Sequence, residues 1–505
     1  MKKILVKNSI FGLVQGVLNL LLVFWAVPVF IRMLGSESYG VFALVMVIGN
    51  LNTFTNLGLT SALVKFISEQ GRTEESNIDI VVNLMMLVGL TLPLVLIILP
   101  LSRFVLTDIL NIPPKIYGEA KWLFLWVVLA NFFLLIGQVF KSILDALQKI
   151  YITSLQQLIY NLLYWGLILT FLYMGLSLPA IGLAVFMSAF IWLVITIISS
   201  LREWGKISFS GVRNNIKDSM RKQLRYGIKI YASGLIGFFY EPLSKILVSN
   251  FIGVTQVGFF DIALRLRSQL WGFIAKIFYP LFPFISEQKD KSIVRKYVHD
   301  LEQKTFLVVA PVVGIVILLM HPFIQIWIGK DVEIISITAI FIISFHLIGS
   351  STVIPNCQFL MAKDLAQKTI ILQLSNVVFN SALFLLTVHF IGYYALIVGN
   401  VAAIVSSFSL SLYYQKKFLN SLIFDSFSQV LRLFASLALM LVIGSLVKEL
   451  LDGHNTLIML VLPTVLFPMT IFLYKVLGLV RVEDVYRYFG TNNKISKVLA
   501  NIYST

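Results

Sequence analysis

The sequence is poor in cysteine and in charge, and both shortages restrict what the protein can be. Its one cysteine, Cys357, excludes an internal disulfide and argues against a metal or redox site built on cysteines. Lys, Arg, Asp and Glu make up 13% of the 505 residues, whereas soluble domains carry about a quarter. No Walker loop for binding phosphate is found, which argues against direct use of ATP. Together these absences argue against a soluble enzyme.

Charge is also segregated, because seven long segments contain no Lys, Arg, Asp or Glu. These segments are residues 8–31, 38–64, 80–102, 150–201, 305–329, 334–362 and 369–415. A helix that spans a membrane needs roughly 20 mostly apolar residues, and 58% of the chain is hydrophobic. The pattern predicts an all-α polytopic membrane protein with about 14 transmembrane helices. They are predicted at residues 9–33, 41–65, 79–101, 121–141, 152–175, 179–201, 227–250, 258–284, 304–328, 333–356, 366–388, 391–414, 428–447 and 455–477.

Positive charge lies mainly on one set of the connections between these helices. One side carries 29 Lys and Arg residues and the other carries six. Because positive loops stay in the cytoplasm, we expect a multi-pass protein with both termini cytoplasmic. The same placement accounts for the net charge of +16 without nucleic acid, and it predicts anionic phospholipids as partners. The most basic connection, residues 202–225, is a candidate surface helix on anionic lipid.

The chain repeats itself at an offset of 218 residues. Gly35 and Gly40 correspond to Gly253 and Gly258, and residues 66–70 recur without change as residues 284–288. Six predicted spans separate the copies, so both halves have the same orientation. We therefore predict two six-helix lobes in a parallel repeat plus two extra C-terminal helices. The predicted domains are residues 1–213 (helices 1–6), residues 214–426 (helices 7–12), and residues 427–505 (helices 13 and 14 with a cytoplasmic tail).

The first 70 residues carry a family resemblance. Residues 30–42 read FIRMLGSESYGVF and residues 56–59 read NLGL. This opening resembles that of polysaccharide-transporter flippases of the multidrug/oligosaccharidyl-lipid/polysaccharide exporter superfamily. The resemblance implies a flippase that moves an undecaprenyl-diphosphate-linked oligosaccharide across the bacterial inner membrane by alternating access. It also implies a place in cell-envelope polysaccharide synthesis, such as that of O-antigen or capsule, with a polysaccharide polymerase and glycosyltransferases as candidate partners.

Charged residues inside the spans concentrate in predicted helices 7 and 8. They are Glu241, Lys245, Asp261, Arg265, Arg267 and Lys276. Charges at mid-membrane are costly and need a partner or a wet cavity. One interpretation is a cationic lining for the substrate diphosphate, formed by the four basic residues. The other is a set of self-neutralising pairs at i,i+4 spacing, Glu241 with Lys245 and Asp261 with Arg265.

Other candidates rest on weaker patterns. Gln15, Asn19, Asn52 and Asn56 are candidate sugar contacts, although polar residues also hold membrane helices together. Glu241 and Asp261 are candidates for coupling to a sodium or proton gradient. We expect no catalytic residues, no metal and no bound cofactor.

Two transport functions remain open, and an enzyme is the least consistent interpretation. A cation-coupled multidrug or small-molecule antiporter of the same superfamily is the alternative to the flippase. The cluster of cations favours an anionic diphosphate over a cationic drug, and 14 spans favour the polysaccharide branch over the usual 12. A polymerase or ligase would be expected to carry a long external loop with catalytic residues, whereas the longest hydrophilic connection here, residues 202–226, is on the predicted cytoplasmic side.

Overall fold

The computed structural model describes residues 2–480, apart from 50–55, 210–211, 279–280, 282–284, 286–287, 289, 364, 421–426 and 452. The described residues form fourteen principal helices, numbered in chain order. They are α1 (Lys2–Gly49), α2 (Leu59–Gln70), α3 (Glu74–Ile98), α4 (Tyr117–Ala146), α5 (Ile150–Tyr173), α6 (Leu178–Trp204), α7 (Val212–Phe251), α8 (Val254–Ile274), α9 (Lys291–Trp327), α10 (Val332–Ala362), α11 (Ala366–Ile391), α12 (Tyr394–Leu419), α13 (Phe427–Leu450) and α14 (Asn455–Val476).

These helices confirm the predicted all-α membrane fold. Every predicted span overlaps a helix, and 11 helices of the described part are long and apolar enough to cross a membrane. The backbone is non-helical at Gly35 (φ 86°, ψ 165°), so α1 consists of two helical segments that meet at a kink there, in agreement with the predicted break between the first two spans. One boundary differs from the prediction. The first turns of α7 occupy residues 212–225, so this part of the predicted surface helix is instead continuous with a span.

The described chain forms two compact units. The first contains residues Met1–Asp261 and Phe384–Leu396. Within it α4 packs along α6, α5 lies against α1 and α6, and α2 and α3 contact both α4 and α7. A buried apolar core holds α2, α3, α4 and α6 together, with Leu63, Ile80, Ile143 and Trp204 among its members. This unit contains most of the candidate site residues.

The second unit contains Ile262–Leu383 and Ile397–Thr505. Here α9 packs against α10, α13 and α14. Small residues allow the close approach: a Cβ added to Gly314 would lie 2.9 Å from the Met440 sulfur, and one added to Gly444 would lie 2.3 Å from Leu318 Cδ1. These two units are defined by packing, whereas the predicted lobes are defined by the sequence repeat. The predicted lobe boundaries at residues 213 and 426 therefore stay predictions.

The sequence repeat reappears as a reciprocal contact inside the first unit. A Cβ added to Gly40 would lie 2.0 Å from the Val254 carbonyl oxygen, and one added to Gly258 would lie 3.1 Å from the Ser36 carbonyl oxygen. Gly258 is the repeat of Gly40, and Val254 is the repeat of Ser36. Gly35 and its repeat Gly253 both have positive φ, at 86° and 143°. The two copies of this turn therefore face each other as expected for a parallel repeat.

Candidate functional site

A buried ion pair joins α7 to α8. Lys245 Nζ lies 2.6 Å from Asp261 Oδ1, with the two side chains 12% and 6% exposed. The Tyr39 hydroxyl, near the end of α1, donates to the other carboxylate oxygen of Asp261 at 2.8 Å. The carboxylate therefore accepts a charged and a neutral hydrogen bond, which is the condition under which a buried charge is tolerated.

The pair forms because α7 and α8 make a hairpin. Lys245 and Asp261 each lie eight residues from Gly253, at the turn, so the two side chains lie opposite each other. The i,i+4 spacing predicts pairs within one helix, whereas this pair connects two helices. Because both residues lie eight positions from Gly253, the sequence alone could have predicted the Lys245–Asp261 pair.

The other predicted charges occupy the same helices. Glu241 lies one turn before Lys245 on α7, and Arg265 and Arg267 lie on α8, all three partly buried. Lys276 falls in the short 3-10 helix Ala275–Phe278 that follows α8, and its side chain lies outside the described part. Their role in binding phosphate stays a prediction.

A cavity of about 470 Å³ lies inside the first unit, between α2, α4, α5 and α6. Its lining combines polar side chains, among them Thr60, Gln138 and Gln157, with the aromatic rings of Tyr160 and Trp192. The two aromatic rings lie 6.2 Å apart with their planes at 64°.

Two of the four predicted sugar contacts join this polar surface. Asn56 Nδ2 donates to Gln138 Oε1 and to Thr60 Oγ1, both at 2.9 Å. Asn19 accepts from Asn161 at 2.9 Å, and Asn161 in turn accepts from Gln157 at 3.2 Å. Gln15 is partly buried one turn before Asn19 on α1. Asn52 lies outside the described residues.

Charges at this cavity are balanced within the protein. Lys141 Nζ lies 2.9 Å from Asp145 Oδ2, four residues on along α4. The other carboxylate oxygen of Asp145 accepts from the Thr153 hydroxyl at 3.0 Å. Both charged groups line the cavity, so the lining carries no net charge.

A second polar cluster, which the sequence analysis missed, joins α3 to the first turns of α7. Asp79 is fully buried and accepts from Ser219 at 2.6 Å and from Lys222 at 2.8 Å. The Gln223 amide donates to the Asp79 carbonyl oxygen at 3.0 Å. Burial acts to lower the pKa of Lys222, but hydrogen bonds and charges from Asp79 and Glu75 outweigh it and raise that pKa above its ordinary value. Ser219, Lys222 and Gln223 share one helical face because of their i, i+3 and i+4 spacing, which was the signal that could have found this cluster.

The second unit contains a buried carboxyl group that the sequence analysis also missed. Glu302 on α9 is 2% exposed, and it accepts a hydrogen bond from the side-chain amide of Gln415 on α12. It was missed because the predicted span begins at residue 304, whereas α9 begins at Lys291. An ionisable residue in a membrane-spanning helix is by default a functional candidate.

Comparisons with known proteins identify a family, a relative and solved structures to which this chain is similar. The profile of a family described as polysaccharide biosynthesis protein matches residues 5–289. A Shigella flexneri protein described as "Putative O-antigen transporter" is 21% identical over 345 residues, which are 68% of this chain and 81% of the relative.

Two kinds of solved structure share the fold. The lipid II flippase MurJ, in an inward closed conformation, superposes with a TM-score of 0.71 at 15% identity and covers 95% of this chain and 98% of its own. An inward-facing multidrug resistance transporter of the MATE family gives a TM-score of 0.64 at 15% identity, covering 80% of this chain and 99% of its own.

Proposed function

Because the chain belongs to the polysaccharide biosynthesis protein family, we propose that it flips an undecaprenyl-diphosphate-linked oligosaccharide across the bacterial inner membrane by alternating access. It is a membrane transporter and not an enzyme. The choice of a flippase over an antiporter rests on how much of this chain each solved structure covers. The flippase structure covers 95% of the chain, whereas the multidrug transporter structure covers 80%. The polysaccharide polymerase and glycosyltransferases expected from the sequence remain proposed partners.

Phosphate binding is assigned in this proposal to the cations of α8 and the 3-10 helix after it. Lys245 is already neutralised by Asp261 at 2.6 Å, which leaves Arg265, Arg267 and Lys276 against the single charge of Glu241. Because the Lys245–Asp261 pair is neutral, the six charged residues still carry a net charge of +2. Arginine suits a diphosphate because its planar guanidinium donates two parallel hydrogen bonds. Arg265 is therefore the first residue to test.

Coupling to a proton or sodium gradient is assigned to a carboxyl group other than Asp261. Asp261 is engaged by Lys245 and Tyr39, so protonation or cation binding there would break an ion pair. Glu302 has the neutral amide of Gln415 as its partner among the described contacts. A buried carboxyl with a neutral partner is better suited to gaining and losing a cation.

Reconstitution tests the proposal directly. Liposomes containing the purified chain receive a fluorescent undecaprenyl-diphosphate-linked saccharide, and its accessibility to a membrane-impermeant quencher is followed over time. We expect faster exchange between leaflets than in protein-free liposomes, and loss of that acceleration in Arg265→Ala. No acceleration, together with gradient-driven export of a cationic dye, would replace the flippase with the antiporter.

A further inference from the structure

We infer that the 470 Å³ cavity of the first unit is a binding subsite for a neutral saccharide. The inference rests on the proposed function, since the saccharide would be part of the glycan that the lipid carries. It assigns sugar recognition to the interior of one helix bundle, separate from the cations of α8 that are proposed to hold the diphosphate.

Size and lining fit a sugar ring. Pockets for small molecules span about 300–1,000 Å³ and combine apolar walls with a few placed polar groups. The rings of Tyr160 and Trp192 form a corner at 64°, and such rings offer an apolar face with a polar tip. Gln138 and Gln157 supply polar groups to the same lining. A pyranose has the matching chemistry, with apolar C–H faces and a rim of hydroxyl groups.

The charge balance selects a neutral ligand. Lys141 and Asp145 are paired at 2.9 Å within the lining, so a diphosphate entering here would have to break that pair. A neutral sugar can instead form hydrogen bonds to Lys141 and Asp145 while they stay paired. The side-chain amides of Gln138 and Gln157 suit sugar hydroxyl groups as well, because each amide both donates and accepts.

The Trp192 ring is a fixed part of the cavity wall. Trp192 is 4% exposed, and its indole nitrogen is itself buried. Gly137 of α4 lets the ring pack close, since a Cβ at that position would lie 2.3 Å from Trp192 Cζ3. The ring therefore contributes apolar aromatic surface to the cavity.

Matched tryptophan variants test the subsite. The full-length chain, Trp192→Phe and Trp165→Phe are purified in detergent, and binding of a panel of neutral mono- and disaccharides is measured by ligand-observed NMR. Trp165 is an equally buried tryptophan of α5, also 4% exposed, and it does not line the cavity. We expect saturable binding of at least one sugar to the wild type and to Trp165→Phe. Trp192→Phe should bind roughly three- to tenfold more weakly, because the smaller ring removes aromatic surface against which a sugar can pack.

The outcomes separate the subsite from the flippase. Wild-type protein that flips the lipid-linked saccharide but binds no free sugar, or binds it equally well as Trp192→Phe, would mean a cavity that holds only water and would overturn the subsite. Wild-type protein that binds sugar through Trp192 but accelerates no flipping would support the subsite and overturn the proposed function. If Trp192→Phe does not fold, Gln157→Leu takes its place, with the same loss of binding expected.

Discussion

At the scale of residues, both side chains of the Lys245–Asp261 pair are largely buried, with 12% of Lys245 and 6% of Asp261 exposed. Removing one partner from such a pair leaves an uncompensated charge, which costs about 3–5 kcal/mol. We expect Lys245→Ala to lower the thermal midpoint strongly and the double variant Lys245→Ala/Asp261→Ala to recover most of it. Fluorescence-detected gel filtration after heating measures this. Exposed Lys121→Ala is the control, and additive losses in the double variant would contradict the pairing.

Lys222 gives a prediction about pH. Its pKa is raised in the folded protein by Asp79 and Glu75, against the lowering effect of burial. The stabilisation is therefore fully present below the unfolded pKa of about 10.4 and is lost as the pH rises through the higher folded value. We expect the midpoint difference between wild type and Lys222→Met to stay constant from roughly pH 6 to 9 and to shrink above about pH 10.4. Exposed Lys217→Met controls for surface charge, and a difference that shrinks already below pH 9 would be inconsistent with this pairing.

Glu302 gives a prediction about coupling. Glu302→Gln keeps the shape of the side chain and its contact with Gln415 but removes the ionisable group. We expect flipping driven by an imposed proton or sodium gradient to fall at least tenfold in this variant, with protein yield unchanged. Glu333→Gln, at an exposed position in the first turn of α10, is the matched control. Transport that keeps its full response to the gradient would remove Glu302 from the coupling role.

At the scale of helices, α7 meets α2 where two glycines cross. A Cβ added to Gly227 would lie 2.7 Å from the Leu57 carbonyl oxygen, and one added to Gly58 would lie 2.3 Å from the Gly227 carbonyl oxygen. Gly227→Ala should therefore force backbones apart at a cost of roughly 1–3 kcal/mol. Gly166→Ala, where an added Cβ meets nothing within 4 Å, should be neutral or stabilising because alanine favours helix. Equal thermal midpoints for the two variants would contradict the close crossing.

The sequence predicted the helices well and their contacts poorly. Spans were predictable because uncharged apolar segments of membrane length have few alternatives. The start of α7 at Val212 was not, because a basic amphipathic segment is equally consistent with a lipid surface until its polar face is seen against Asp79. Asn19 and Asn56 stay predicted sugar contacts, whereas the hydrogen bonds that they make join them to Asn161 and Gln138, which lie 142 and 82 residues away. No local pattern encodes such pairings.

At the scale of the whole molecule, the distribution of Lys and Arg predicts which end of the bundle faces the cytoplasm. A reporter enzyme active only outside the cell should be inactive when fused in the 202–226 connection and active near residues 110–117. The reason is that 29 positive residues lie on the first side and six on the second. The reverse pattern of activities would invert the proposed direction of transport.

The reciprocal contact of Gly40 with Val254 and of Gly258 with Ser36 has a consequence for the origin of the chain. In a symmetric homodimer, residue i of one subunit meets residue j of the other, and j meets i. The contact satisfies that rule if each half of the chain counts as a subunit. A half-length ancestor would therefore have used this patch to bind its own copy, and gene fusion would have turned an intermolecular interface into an internal one. After fusion the two sides could diverge, as Ser36 and Val254 have, while the glycines that permit the approach remain in both copies.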